Sequence, residues 1–113
     1  MKVMKVLIIG GGGREHALAW KINQSPLLGK LYVAPGNAGT GVIAENVHIK
    51  TTDIDGLLKF ALKKSIDLTV VGSEDPLEMG IVDIFRKYSL PIFGPTKDAA
   101  QIESSKVFSK LLM

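Results

Sequence analysis

Four consecutive glycines near the start of the chain are the residues whose pattern most clearly indicates ligand chemistry. Residues 10–13 directly follow the apolar run at residues 6–9, and residues 14–20 then have the composition of a helix. An apolar run that ends in glycine is typical of a buried parallel strand. Glycine lets a ligand approach the backbone, and the next helix presents unpaired N–H groups at its positive end. The pattern predicts a site for an anionic or strongly polar ligand, with a ligand-free connection as the alternative.

Two more loops of this kind follow predicted strands. Residues 30–34 and 68–71 are predicted strands that are apolar except for Lys30 and Thr69. They lead into residues 35–41 and 72–76, which are rich in glycine, proline and polar side chains. Each of these loops therefore places polar groups at the point where a strand ends.

The elements that must position these loops alternate between strands and helices. Further strands are predicted at residues 46–49 and 91–94, and helices at residues 14–23, 54–62, 76–88 and after Thr96. The apolar positions expected to face the core are Ala17, Leu18 and Ile22, then Ile54, Leu57, Leu58, Ala61 and Leu62, then Leu77, Ile81, Ile84, Phe85 and Tyr88. This alternation predicts an α/β fold, a Rossmann-like open parallel sheet of about five strands flanked by helices. Ligands bind beyond the carboxyl ends of such strands, so we expect the three loops to converge on one rim.

Composition narrows the class of protein. The 113 residues suffice for one domain or for a piece of a larger protein, and 46% hydrophobic with 22% charged residues is ordinary globular composition. A net charge of +3 on scattered residues is too mild to indicate nucleic-acid binding. The absence of cysteine excludes disulfides, thiol catalysis and cysteine metal sites. No apolar stretch is long enough to span a membrane, so we expect a cytoplasmic protein.

A dinucleotide site is one interpretation of the glycines. Gly10 and Gly12 match the start of the dinucleotide-binding fingerprint, but Glu15 stands where a third glycine is needed. The fingerprint also needs an acidic residue at the end of the second strand to hold a ribose, and residues 33–36 contain none. Both departures count against a nicotinamide or flavin site. A free-standing nucleotide-binding module remains the alternative function.

Five motifs in order carry a resemblance that covers essentially the whole chain from Met4 onward. They are GGGGREHAL at residues 10–18, APGNAGT at 34–40, VGSEDPL at 71–77, FGPT at 93–96 and SKVF at 105–108. Together they resemble the N-terminal domain of the phosphoribosylamine–glycine ligases, which belong to the ATP-grasp superfamily. The chain departs from the family pattern at Ser73, where proline is usual, and at Asp75, where a small residue is common. By this resemblance, residues 1–103 form the substrate domain and residues 104–113 begin the ATP-grasp region.

The resemblance implies a carbon–nitrogen ligase of de novo purine synthesis. Such an enzyme joins 5-phosphoribosylamine and glycine and converts ATP to ADP and phosphate. Glycine is first phosphorylated to an acyl phosphate, which the amine of phosphoribosylamine then attacks. Magnesium or manganese neutralises the phosphates, as phosphoryl transfer requires. Because the domains that hold ATP and metal lie C-terminal to this region in the family, we expect the chain alone to fold, to bind no cofactor and to be inactive.

The candidate site residues bind substrate instead of performing catalysis, and none is predicted to ligate a metal. The substrate-binding set is Gly11, Gly12, Gly13, Arg14, Glu15, Asn37, Gly39, Thr40, Glu74 and Pro76, and Lys106 is the candidate nucleotide-binding residue. By resemblance to related grasp enzymes, Glu74 contacts ribose hydroxyls; the alternative is an acid that stabilises the start of a helix. Asn37, Gly39 and Thr40 form either a polar cradle or an ordinary surface loop.

Overall fold

The structure, a computed structural model, describes residues 3–94 of the chain. In this range the elements are β1 (Met4–Gly10), α1 (Gly13–Asn23), β2 (Leu28–Pro35), α2 (Thr40–Ile43), β3 (Glu45–Asn46), α3 (Ile54–Lys63), β4 (Leu68–Val71), α4 (Glu74–Glu78), α5 (Ile81–Lys87) and β5 (Ile92–Phe93). Every strand pairing is parallel, and the order across the sheet is β3-β2-β1-β4-β5. The structure confirms the predicted α/β fold with five parallel strands.

Strand β1 lies at the centre of the sheet and of the core. Its side chains at residues 6–9 have no exposed surface. Leu7 and Ile9 pack on one face with residues of α3 and α5, while Val6 and Ile8 pack on the other face with residues of α1. Burial on both faces requires a continuous apolar run instead of an alternating one, which is why this strand is so evident in the sequence.

The chain also reverses its course across the sheet at β1. From β1 it proceeds outward through β2 to β3, and it then returns to add β4 and β5 on the other side of β1. The connections that leave β1 and β4 therefore diverge at the carboxyl edge of the sheet. In open α/β sheets this divergence forms the crevice where ligands bind.

Strand β3 covers only part of the outer edge of β2. Tyr32 and Val33 pair with its two residues, whereas residues 28–31 have no strand partner on that side within the described part of the chain. Lys30 Nζ lies 3.1 Å from Glu45 Oε1 across this partly covered edge, and both side chains are exposed.

The buried face of α1 differs from the predicted one. Ala19 and Ile22 are buried together with Glu15, whereas Ala17 is exposed and Leu18 is half-buried. The Glu15 side chain turns inward beneath the glycines, so the face that begins there and recurs four and seven residues later packs on the sheet. The prediction is therefore confirmed for Ile22 and wrong for Ala17, because the residue that sets the start of this face is an acid and not an apolar side chain.

Two short elements around the second strand also differ from the prediction. Helix α2 lies in a segment predicted to be partly loop, and β3 ends at Asn46 although a strand was predicted over residues 46–49. Asn37 Oδ1 accepts a hydrogen bond from the Thr40 N–H at 2.9 Å. This contact satisfies an N–H group at the start of α2 that has no partner inside the helix, and so favours the extra turn.

The helix predicted over residues 76–88 is two helices, α4 and α5. Gly80 separates them with a φ of +81°, a left-handed conformation that interrupts a helix. Tyr88 is exposed because it follows the last residue of α5, and Leu62 is exposed near the end of α3. At the other end of α3 the predicted N-cap is confirmed, since an Asp53 carboxylate oxygen accepts from the Gly56 N–H at 3.0 Å.

Some predictions fall on residues that the structure does not describe. The helix after Thr96, the candidate residue Lys106 and the domain boundary at residues 103/104 all lie outside residues 3–94. Within that range, no helix combines the length and the apolar composition needed to cross a membrane.

The left-handed conformation of Gly80 predicts a stability difference between two glycine variants. A β-carbon at either Gly80 or Gly13 would meet no atom within 4 Å, but only Gly80 has a positive φ. Gly80→Ala should therefore lower the free energy of unfolding by about 1–2 kcal/mol through backbone strain alone. Gly13→Ala, at the first position of a helix, should lower it not at all. Urea unfolding of both variants measures the difference, and equal losses would contradict the strain argument.

Candidate functional site

Three loops meet at the carboxyl edge of the sheet, and direct hydrogen bonds connect them. They are the glycine turn (residues 10–13), the Asn37 loop (residues 35–41) and the Ser73 loop (residues 72–76). Asn37 Nδ2 donates to the carbonyl oxygens of Gly11 and Gly12 at 3.0 and 3.2 Å. The predicted convergence of the loops on one rim is confirmed for the first pair by these contacts.

Arg14 connects the glycine turn to the Ser73 loop. It is the second residue of α1, and its Nη2 donates to the Gly72 carbonyl oxygen at 2.8 Å. Its side chain spans the crevice between the ends of β1 and β4 and remains exposed. A guanidinium group in this place adds positive charge at the mouth of the crevice, where a polar ligand would enter.

Glu15 lies beneath the place where the three loops meet. The residue is only 5% exposed, and its Oε1 accepts a hydrogen bond from the Gly12 N–H at 3.3 Å. A β-carbon at Gly10 would collide with this carboxyl group, and one at Gly72 would come within 2.8 Å of its Cγ and Cδ. Glu15 thus fills the space beneath the glycine turn and accepts a hydrogen bond from one of its N–H groups. It is the third residue of α1, a helix position at which an acidic side chain is favourable.

The Asn37 loop is held by a compact set of hydrogen bonds around Thr40, whose surface is fully buried. The Thr40 hydroxyl oxygen accepts from the Asn37 N–H at 2.8 Å, and the Asn37 carboxamide oxygen accepts from the Thr40 N–H. With Nδ2 on the glycine turn, every polar group of the Asn37 side chain has a partner within the protein. Asn37 and Thr40 therefore determine the shape of the rim.

Asn46 is a member of this set that sequence reasoning missed. Its Oδ1 lies 2.7 Å from the Thr40 hydroxyl, which can donate to it, and its Nδ2 donates to the Asn37 carbonyl oxygen at 2.8 Å. The available signal was a carboxamide residue at the first position of a short predicted strand that follows a glycine-rich loop. That signal is weak, because asparagine is common at the ends of strands for reasons unrelated to ligands.

The Ser73 loop contains two exposed acidic residues, Glu74 and Asp75, after a half-buried serine. Glu74 is the first residue of α4 and is exposed, while Pro76 two residues later is buried. Ser73 occupies the N-cap position without a side-chain hydrogen bond to the helix. Glu74 therefore lies in the loop that the sequence predicts at the carboxyl edge of the sheet, at the start of a short helix, and its side chain is exposed.

The remaining candidates lie around the same rim. Gly11, Gly12 and Gly13 are exposed, so a molecule can reach their backbone from solvent. Gly39 packs against His16, where an added β-carbon would come within 2.6 Å of the imidazole ring. Within residues 3–94, no group of three or more histidine, aspartate or glutamate side chains is placed to hold a metal ion.

Comparison with known proteins gives one consistent result. Residues 4–103 match the family model described as "Phosphoribosylglycinamide synthetase, N domain". Over 109 residues the chain is 62% identical to the phosphoribosylamine–glycine ligase of Haemophilus influenzae and 61% identical to that of Escherichia coli. Each alignment covers 95% of this chain and 25% of the relative, so the chain spans about a quarter of the length of these curated relatives.

A solved structure agrees with the sequence relatives. The crystal structure of phosphoribosylamine–glycine ligase from Thermotoga maritima superposes with a TM-score of 0.53 at 29% sequence identity. The match covers 94% of this chain and 23% of the other. The five-stranded parallel sheet is therefore similar to part of that longer enzyme.

The position of Glu15 predicts a compensating pair of substitutions. Gly72→Ala should destabilise the chain by about 1–3 kcal/mol, because its β-carbon overlaps a buried side chain. In a Glu15→Ala background the same substitution should cost clearly less, since the overlapping atoms are gone. Thermal or urea unfolding of the two single variants and the double variant measures the coupling. Additive losses would show that Glu15 does not occupy this space.

Proposed function

This chain belongs to the phosphoribosylglycinamide synthetase N-domain family, and we propose that it is the substrate-binding N-terminal domain of a phosphoribosylamine–glycine ligase. The longer enzyme forms the amide between 5-phosphoribosylamine and glycine and converts ATP to ADP and phosphate in purine biosynthesis. The observation that carries the proposal is the hydrogen-bonded meeting of three loops at the point where the chain reverses across the sheet. Parallel sheets bind their ligands at this point.

The rim suits a sugar better than a diphosphate. Glu15 already accepts the Gly12 N–H, so a second anion at the turn would face a carboxylate. The exposed carboxylate of Glu74, on the opposite side of the crevice, is a hydrogen-bond acceptor suited to the vicinal hydroxyls of a ribose. We therefore assign the ribose of 5-phosphoribosylamine to the crevice between the glycine turn and the Ser73 loop. The same geometry disfavours a free-standing dinucleotide-binding module.

The proposed site residues divide into two roles. Gly11, Gly12 and Gly13 let the sugar approach the backbone, and Arg14 and Glu74 offer charged groups to it. The other members of the set maintain the shape of the rim; they are Glu15, Asn37, Gly39, Thr40 and Pro76. This division follows from burial and from the hydrogen bonds that each side chain already makes.

ATP and magnesium or manganese belong, in this proposal, to parts of the longer enzyme outside residues 3–94, with Lys106 as a nucleotide contact. The substrates are small molecules, and the resemblance assigns the reaction to the cytoplasm without a nucleic-acid or membrane partner.

A chimeric enzyme tests the proposal directly. The chain replaces the matching 109 residues of the Escherichia coli ligase, to which it is 61% identical. We expect ADP release that requires 5-phosphoribosylamine, glycine and magnesium together. A chimera that unfolds cooperatively near the temperature of the parent enzyme but releases no ADP would contradict the proposal.

Glu74→Ala in the chimera tests the ribose contact. Loss of a charged acceptor for sugar hydroxyls should lower kcat/KM for 5-phosphoribosylamine by one to two decades, corresponding to about 1.5–3 kcal/mol. The KM values for ATP and glycine should change much less. Glu78→Ala is the matched control, because Glu78 is an exposed glutamate at the other end of the same helix. Equal losses for all three substrates, together with a lower Tm, would assign Glu74 to helix stability instead.

A further inference from the structure

We propose that Asn46 is a positioning residue for the sugar-binding rim, which fixes the Asn37 loop against the glycine turn. The identity of the ligand in this inference rests on the proposed function. The hydrogen bonds of Asn46, from which the inference is argued, are independent of that function. Asn46 is exposed overall and lies at the end of an edge strand of only two residues. Its effect on the rim must therefore act through its amide group and not through burial of its side chain.

Both ends of that amide hold the Asn37 loop. Oδ1 lies 2.7 Å from the Thr40 hydroxyl oxygen, and Nδ2 donates to the Asn37 carbonyl oxygen at 2.8 Å. Thr40 in turn accepts from the Asn37 N–H, and Asn37 Nδ2 reaches the carbonyl oxygens of Gly11 and Gly12. A continuous set of hydrogen bonds thus runs from β3 to the glycine turn, and each bond polarises its neighbours.

The backbone at Gly36 packs directly against this amide. Gly36 has a φ of +75°, and a β-carbon there would collide with Asn46 Oδ1 and come within 2.7 Å of the Thr40 hydroxyl. The backbone of the Asn37 loop therefore passes directly against the Asn46 amide. The neighbouring Glu45 differs, because its carboxylate pairs with Lys30 on the outer edge of the sheet.

Loss of Asn46 should change the position of the loop more than the stability of the fold. The Thr40 hydroxyl has a second acceptor in the Asn37 carbonyl oxygen at 3.0 Å, so it keeps a partner when the amide is removed. No buried polar group is left unsatisfied, which is the situation that costs most. What disappears is the pair of side-chain hydrogen bonds that connects Asn46 of β3 to the loop.

The test compares Asn46→Ala with the matched variant Glu45→Ala in the same chimera. Asn46→Ala should raise KM for 5-phosphoribosylamine about five- to tenfold, the loss expected from one or two neutral hydrogen bonds. KM for ATP should stay within about twofold of the unsubstituted chimera, and Tm within the few degrees expected for Glu45→Ala. Amide hydrogen exchange should become faster over residues 36–41 in Asn46→Ala only.

A double variant of Asn46 and Thr40 distinguishes an effect of Asn46 on KM that acts through the Asn37 loop from a general loss of activity. Thr40→Val removes the hydroxyl that connects Asn46 to the loop while keeping the side-chain shape. If Asn46 acts through this connection, the increase in KM in the double variant should be smaller than the product of the single increases. Asn46→Asp should not rescue KM, because it replaces the donor to the Asn37 carbonyl with an oxygen.

Several outcomes would overturn the inference. The first is unchanged amide exchange over residues 36–41, and the second is faster exchange with an unchanged KM for 5-phosphoribosylamine. The third is an equal loss of activity with every substrate, in proportion to a decrease in Tm. If the unsubstituted chimera is active and Glu74→Ala is impaired as expected, these outcomes remove the role of Asn46 and leave the proposed function standing. An inactive unsubstituted chimera, by contrast, contradicts the proposed function itself.

Discussion

The buried carboxyl group of Glu15 is the constraint on which the geometry of the rim depends. A carboxyl group that is 5% exposed needs a hydrogen-bond partner, and the Gly12 N–H donates to it. Its bulk then determines what the neighbouring backbone can carry, because neither Gly10 nor Gly72 has space for a β-carbon. Glycines that lie 62 residues apart in the chain thus border the same acidic side chain, between the ends of two adjacent strands. Gly10 also has a φ of +145°, a backbone conformation that by itself favours glycine.

The geometry of the rim also depends on the sheet, which fixes where β1 and β4 end. Their pairing aligns Ile9 with Val71, so the turns that follow begin at the same level. Arg14 then connects these two turns, and Asn37 connects the loop after β2 to the first of them; both side chains bond to backbone carbonyl oxygens. A rim assembled from main-chain groups on a rigid sheet holds its shape with little loss of conformational entropy when a ligand binds.

Sequence reasoning predicted the parts of the structure that depend on local pattern. Strand β4 has the predicted bounds, because continuous apolar runs have few alternatives in a parallel sheet. The break at Gly80 was missed because glycine inside an apolar stripe is compatible with an uninterrupted helix, and only its φ reveals the interruption. Asn46 was missed because its role depends on contacts with Asn37 and Thr40, which no spacing within one element encodes. The motif resemblance placed the candidate residues at the rim but could not separate those that face solvent from those that bond inward.

The short strand β3 has a consequence for association between molecules. An uncovered strand edge presents a row of N–H and C=O groups to which another chain can add a strand. In the described part of the chain, residues 28–31 of β2 form such an edge, and Lys30 stands within it. A strand that docked there would have to displace the Lys30–Glu45 ion pair and bring its own backbone beside a charge. The ion pair thus opposes aggregation through this edge of β2, which the two residues of β3 are too few to cover.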